Sequence, residues 1–426
     1  MEHLRLHPFF VPLPLPEDLP KLVNLEDVRN IRQDSWQWDA LHDGRCTTSQ
    51  AVAALGFLEA KAGMLLGIPS SWQRRGVAAY DRLRQPALRT LDQMNALLLA
   101  ENATTSGVIL TESEYEVFEP TSTLYSDNSA TTTSNDDSNN DNTKGSKLSE
   151  KLWNVSSSNT SQAFSAKYLA KPTKAEKLNR RERAAFYARY GMAVRMMWGN
   201  AQEATSVLTA LNYFRQKDVR TIVKEVGMCG AGLDLNRADG SSPSSLLIGA
   251  TPDAVIEYAD GKIEALEVKN HCPFILSRTP TTDSRRPMKQ FAVREIPFKT
   301  PYIFPLYIPQ LMLEMLCLGP NCQSAVMIRQ TATSGALILR IHRDENWIDE
   351  MLYWLQRFQQ DFVEPGVTPP SNFFLDSPED GVRYRAFLER TKELAGKVDL
   401  VAKLPRVRIQ RSGDAGDSLF LDQLCS

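Results

Sequence analysis

Apolar positions along this chain fall into helix-like and strand-like runs, interrupted by one long stretch that has neither period. From about 34 to 100 the spacing predicts a helical region, with SQAVAALGFLEAKAGMLLG its clearest piece. Ser49 is placed so that its hydroxyl accepts an otherwise unpaired backbone amide, and it is predicted to cap that helix. Further on, a helix is predicted over 180–198, a break at Gly199, and a second helix over about 200–215. A strand-rich block follows, about 222–270, then a Pro-, Arg- and Thr-rich loop, about 272–306. A helix over 308–318 and strands around 323–329 and 335–341 come next. In the run 345–363, Ile348, Met351, Leu352, Leu355, Phe358 and Phe362 recur mostly at spacings of three and four, the single buried stripe of a long amphipathic helix. One short helix, 383–397, is expected before a basic end.

This order predicts an α/β core in which a central mixed sheet is flanked by helices. The chain divides into an N-terminal arm (1–30), a helical part (31–100), an insertion (101–160), the main core (161–365) and a C-terminal extension (366–426). The insertion contains TSTLYSDNSATTTSNDDSNNDNTKGS, whose apolar surface is too small to offset the entropy of ordering it, so disorder is expected there.

With 426 residues, 42% apolar and 23% charged, the chain is long enough for a substantial core and ordinary for a globular protein. A net charge of -2 does not advertise a polyanionic partner, so charge has to be read segment by segment. The six cysteines have neither the density nor the spacing of a disulfide scaffold or a structural zinc site. The Pro-rich, acidic start is unlike a signal peptide, and no apolar run is long enough for a membrane span. The expectation is an intracellular, non-secreted protein, with nucleus and organelle both open.

The segment IGATPDAVIEYADGKIEALEVKN, Ile248 to Asn270, carries the candidate chemistry. Strand alternation puts Ile263, Ala265, Glu267 and Lys269 on one face. An acid and a lysine on an otherwise apolar strand need a partner or a function if buried. Together with Asp253, which follows a Thr-Pro step, Glu267 supplies the oxygen donors that Mg²⁺ requires, and the carbonyl of Val268 adds another. Lys269 would then contact the attacking water or the scissile phosphate. The competing reading is a surface hairpin with a Glu-Lys pair, because Asp260-Gly261 is a turn signal.

Glu203 lies on the same helical face as Val207, Ala210, Leu211 and Phe214, where an acid calls for a partner; a first-turn acid favoured by the helix dipole is the alternative. Gln310 follows Pro309 at a helix start, where it either faces solvent or binds the nucleophilic water or a phosphate. Two basic clusters fit contacts to a nucleic-acid backbone. One contains Arg278, Arg285, Arg286, Lys289, Arg294 and Lys299; the other, 167–189, includes Lys174, Lys177, Arg180, Arg181 and Arg183. Solvated surface is the alternative for each.

Five blocks in order give a resemblance. WGNAQE (198–203), GATPDAV (249–255), LEVKNHCPF (266–274), YIPQLMLEM (307–315) and, upstream, WDALHDGRCTTS (38–49) resemble the YqaJ-like viral recombinase family. That family includes the phage-type alkaline exonucleases and belongs to the PD-(D/E)XK nuclease superfamily. The resemblance covers about 36–363, excluding the insertion. It implies a restriction-endonuclease-like core and a Mg²⁺-dependent deoxyribonuclease, with Mn²⁺ as a substitute, acting 5′-to-3′ on linear duplex ends. Glu203, Asp253, Glu267 and Val268 would hold metal, Lys269 and Gln310 would assist, and Thr251 and Ser49 would hold phosphates. Where the family has a phosphate-binding Arg this chain has His42, so either Arg45 substitutes or the 5′-phosphate preference is weakened. Thr48 replaces the family's Ala. DNA, a single-strand annealing protein and a ring-shaped homotrimer are the partners the resemblance implies. The same site would also serve an endonuclease or nickase, and an inactive DNA-binding protein of the same fold is the third reading.

Overall fold

Strand β6, Ile263–Asn270, lies at the centre of a seven-stranded mixed sheet and is buried on both faces over most of its length. The computed structural model describes residues 2–104, 180–230, 246–278, 289–293 and 301–409, apart from 20, 24, 73–75 and 89, together with 295 and 298. The expected insertion lies outside these residues except for 101–104, which end the helix Leu91–Thr104.

In chain order the strands are β1 (Phe10–Val11), β2 (Arg45–Cys46), β3 (Ile222–Lys224), β4 (Leu247–Ile248), β5 (Ala254–Glu257), β6, β7 (Phe274–Arg278), β8 (Lys289–Val293), β9 (Cys322–Thr331), β10 (Gly335–His342) and β11 (Asp399–Leu404). The sheet order is β1-β3-β5-β6-β9-β10-β11. The β1–β3 and β6–β9 pairs are parallel and the others antiparallel. Six helices matter below: α1 (Trp36–Ala40), α2 (Thr48–Ala54), α3 (Arg180–Lys217), α4 (Ile308–Leu318), α5 (Glu345–Phe358) and α6 (Gly381–Gly396).

Helices cover both faces. On one, Ala204, Val207, Leu208, Leu211 and Phe214 of α3 pack against Ile256, Leu266, Val268, Val326, Ile328 and Ile338. On the other, Leu311, Met312 and Met315 of α4 join Ala265, Met327, Leu337 and Leu339, with α2, α5 and α6 behind them. Each such apolar side chain contributes roughly 1.5–3 kcal/mol on burial, so these layers fix where β6 sits. The β5–β6 hairpin closes at Asp260-Gly261, with Gly261 at φ 83°, the left-handed geometry that glycine takes without steric cost.

Several expectations need correction. Gly199 does not break the helix: α3 runs through it, because one internal glycine costs only about 1 kcal/mol against alanine and the apolar stripe beyond it is anchored to the sheet. The expected loop 272–306 contains β7 and β8, paired antiparallel. Ser49 lies within α2, whose N-cap is Thr47. The extension adds β11 to the edge of the sheet. The arm also reaches the sheet: β1 forms its opposite edge, and Arg5 is ion-paired to Glu225 at 2.6 Å.

Candidate active site

Two glutamates on β6 show what separates a structural acid from a poised one. Glu264 is fully buried and fully partnered. Arg340 donates to both its oxygens, at 2.7 and 3.0 Å, and Ser324 and Tyr258 donate as well. Burial alone would raise its pKa, but these partners hold it below the usual carboxylate value. Glu267, three residues on, is 2% exposed. Lys269 Nζ is paired with Oε1, and Oε2 is buried with no hydrogen-bond partner. Burial to this degree excludes the surface-hairpin reading, although the hairpin itself exists.

Asp253 stands just ahead of β5. Its Oδ2 accepts from the Val268 amide at 2.7 Å, which ties the Pro-Asp turn to β6 beside Glu267. Gln33 steadies that turn by donating to the carbonyls of Pro252, at 3.0 Å, and Val226, at 3.1 Å. Glu203 comes from α3, on the other side of β6. Asn270, at the strand's end, accepts from Ser206 Oγ at 2.6 Å and donates to the Gly199 carbonyl at 3.5 Å, fastening the turn that carries Glu203. Lys269 Nζ also lies 5.0 Å from the centroid of the Tyr307 ring.

Helix α4 adds Gln310 and one acid that the sequence reading missed. Gln310 Nε2 donates to Glu314 Oε1 at 2.9 Å. Glu314 is fully buried, and its Oε2 has no hydrogen-bond partner. The available signal was a solitary Glu inside the otherwise apolar run LMLEMLCL.

The electrostatics join these acids into one group. Burial, then the charges of Glu267 and Glu203, push Asp253 well above the usual carboxylate range, against the pull of Lys269 and the Val268 amide. Glu314 is raised by burial and by Glu267 and Asp253. Glu203 is raised by burial and by Glu267, with Lys269 opposing. Burial would lower Lys269, yet Glu267 and Asp253 outweigh it, and the lysine stays an ammonium. One ammonium thus faces several crowded acids.

The donor chemistry is that of a hard divalent cation, which takes carboxylate oxygens. The buried, unpartnered oxygens of Glu267 and Glu314 are groups that such a cation, or a water it holds, would satisfy. Among the described residues, no three His, Cys, Asp or Glu side chains stand close enough together to hold a metal as they are. The residues therefore fit the cation in kind and are not gathered into a finished coordination shell.

The expected phosphate contacts divide. Thr251 Oγ1 accepts from the Trp38 indole at 3.0 Å, which links the upstream tryptophan block to the Pro-Asp turn. Ser49 is exposed on α2, its hydroxyl donating to Gln50. His42 stacks edge-on to Trp38 with ring centroids 4.2 Å apart, and Nδ1 donates to the Trp38 carbonyl at 3.0 Å. Burial lowers its pKa, so it offers no standing positive charge. Arg45 corrects its expectation: it is fully buried, with Nη1 on the Leu41 carbonyl at 2.9 Å and Nη2 on that of Leu88. A guanidinium held inside on backbone carbonyls does not reach a phosphate outside. Arg285 and Arg286 lie outside the described residues, and of Lys289 only the backbone, at the start of β8, is described. Of the 167–189 cluster, the positions before Arg180 are likewise outside.

No family model matches the chain, and no curated protein matches it. Among solved structures, the chain is similar to an alkaline exonuclease, LHK-Exo, from Laribacter hongkongensis, with 16% identity over 51% of this chain and 87% of that one and a TM-score of 0.24.

Proposed function

We propose that the chain is a Mg²⁺-dependent deoxyribonuclease of the PD-(D/E)XK type, working as a 5′-to-3′ exonuclease on linear duplex DNA. The observation that carries this reading is the electrostatic coupling of acids from separate elements (half-buried Glu203 from α3, half-buried Asp253 from the turn before β5, buried Glu267 from β6) beside the Lys269 ammonium. A stability-driven core does not collect like charges in this way without a counterion.

Glu203, Asp253 and Glu267, with the Val268 carbonyl, would hold Mg²⁺, or Mn²⁺ in its place; the bound ion would supply Lewis acidity and a more acidic water. Lys269, held as an ammonium, offsets negative charge that develops on the phosphoryl oxygens. Gln310, fixed by Glu314, orients a water or a phosphate oxygen. Thr251 and Ser49 take backbone phosphates. A single-strand annealing protein as the recipient of the product, and a ring-shaped trimer as the form that holds the duplex, belong to the same proposal.

A second reading is favoured by one observation: the carboxylates do not form a ready ligand group among the described residues. It makes the chain a DNA-binding protein of the same fold without turnover. The test is degradation of 5′-phosphorylated linear duplex with and without Mg²⁺, beside covalently closed circles, with Lys269→Ala and Glu267→Ala as controls. Loss of linear DNA only, and only with intact residues, supports the exonuclease. Cleavage of circles points to an endonuclease or nickase at the same site. Mg²⁺-independent binding with no degradation selects the second reading, and equal degradation by all three proteins removes the site assignment.

A further inference from the structure

Arg329 lies directly opposite Lys269 in the parallel β6–β9 ladder. Partners in register put their side chains on the same face, with neighbouring strands roughly 4.8 Å apart. The two cations therefore stand side by side, on the face that also carries Glu267. Their surroundings differ sharply. Lys269 is paired with Glu267, whereas half-buried Arg329 has neutral partners. Its Nη1 donates to the Tyr302 carbonyl at 3.0 Å, Nε donates to His271 Nε2 at 3.2 Å, and the Phe298 ring centroid is 6.0 Å away. Among the described residues no carboxylate pairs with it. Arg5, Arg340 and Arg357, by contrast, are each paired with a carboxylate, of Glu225, Glu264 and Asp380 respectively.

Burial lowers the Arg329 pKa, with Tyr307 and Tyr302 opposing. A guanidinium desolvated without an anion is prepared for one that arrives from outside, and its planar fork suits a phosphodiester. The anion's setting is aromatic. From Tyr307, beside Lys269, the rings of Phe304 and then Trp72 follow edge to face, at 6.3 and 5.8 Å between centroids, and Trp72 is 42% exposed. Cations leading into an aromatic row match a nucleic-acid strand, whose phosphates and bases alternate.

We propose that Arg329 binds the backbone phosphate next to the one at Lys269, and so contributes to holding the strand and not to the chemistry. This rests on the nuclease reading, and the test separates the two. Short 5′-phosphorylated duplexes, each with one uncharged methylphosphonate linkage near the end, are bound to the full chain with Ca²⁺ replacing Mg²⁺. Wild type, Arg329→Gln and Arg329→Lys are compared by anisotropy over a salt series. The expected result is one linkage whose neutralisation weakens wild type by about tenfold and does not weaken Arg329→Gln further. The Gln variant also binds unmodified DNA about tenfold more weakly, with a salt slope lower by about 1. Its cleavage rate at saturating DNA in Mg²⁺ stays within about threefold of wild type, so that KM moves and kcat does not. Arg329→Lys keeps the slope and loses part of the discrimination at that linkage. Additive losses at every linkage in both variants overturn the assignment, as does an unchanged salt slope. If Arg329→Gln does not fold, Arg329→Lys decides: wild-type discrimination at every linkage overturns the proposal. If wild type shows the pattern yet never cuts, turnover fails and the contact stands; if it cuts without the pattern, Arg329 alone is misassigned.

Discussion

The Val268 amide donates to Asp253 Oδ2 at 2.7 Å. The ladder between β5 and β6 ends with Ala254 opposite Leu266, and the next donor on β6 is taken by the Asp253 side chain instead of by backbone. One carboxylate thus closes the hairpin and enters the acidic group. These two roles separate on substitution. Asp253→Asn keeps an oxygen for the amide and removes the charge, so the thermal midpoint should hold or rise while turnover falls by about 100-fold or more. Asp253→Ala also orphans the amide and should lose about 1–3 kcal/mol of stability. Denaturation curves and rates on the same preparations check this, and equal melting of the Asn and Ala variants would remove the structural half of the argument.

The Lys269–Glu267 pair should behave as a coupled unit. Lys269→Met leaves Glu267, 2% exposed, among other acids without its cation. Breaking a buried pair from one side costs about 3–5 kcal/mol, less here because the lysine side chain is 25% exposed to screening solvent. Adding Glu267→Gln should recover part of that loss, giving a coupling of about 1 kcal/mol or more in a double-mutant cycle in urea. Turnover should vanish in all three variants. DNA affinity of Lys269→Met should fall by about tenfold at most, the loss of one backbone contact among several. Simple additivity of the two stability losses counts against the pairing.

Glu314 gives a pH prediction. Its folded pKa lies above the ordinary value of 4.5, through burial and the charges of Glu267 and Asp253. Below that ordinary value both folded and unfolded chains hold the proton, and the acid costs nothing. As pH rises, the unfolded chain ionises first, so the stability present at low pH is lost until the folded carboxyl ionises too. Glu314→Gln should therefore flatten this fall: the variant and wild type converge below the ordinary value of 4.5 and separate as pH rises above it, with the variant more stable. Urea midpoints across that range, taken with chelator, test it; parallel curves would assign the slope to other groups.

Where sequence and structure agree, the cause is local. The acid and lysine of β6 were legible because a period of two places Glu267 and Lys269 together whatever surrounds them. The amphipathic stripe from Ile348 to Phe362 has the same local basis, and the Asp260-Gly261 turn needed only its own residues. Failures arose where distant packing decides. The continuation of α3 through Gly199 depends on Val207, Leu211 and Phe214 meeting the sheet. The β7–β8 pairing was hidden by the Arg, Lys and Pro content between its strands. Glu314 resembled any good helix former until the fold brought it beside Glu267 and Asp253. The Ser49 cap failed by a register of two, since the helix starts after Thr47.

Arg45 shows the same limit and supplies the last prediction. Its motif, a lone arginine between His42 and Ser49, suits a phosphate ligand. Its environment comes from Leu88, 43 positions away, whose carbonyl takes one guanidinium nitrogen while the Leu41 carbonyl takes another. Arg45→Met fills similar space with an apolar chain and leaves the buried Leu41 carbonyl and the part-buried Leu88 carbonyl without their donor, at about 1–3 kcal/mol for the buried one and less for the other. The expected outcome is a marked fall in thermal midpoint, with the ratio of rates on 5′-phosphorylated and 5′-hydroxyl duplex unchanged in the folded protein. Arg45→Lys should be nearly as damaging, because one ammonium does not span both carbonyls in the geometry of a planar fork. A variant that melts like wild type but loses its preference for the 5′-phosphate would return Arg45 to the surface role that its motif suggests.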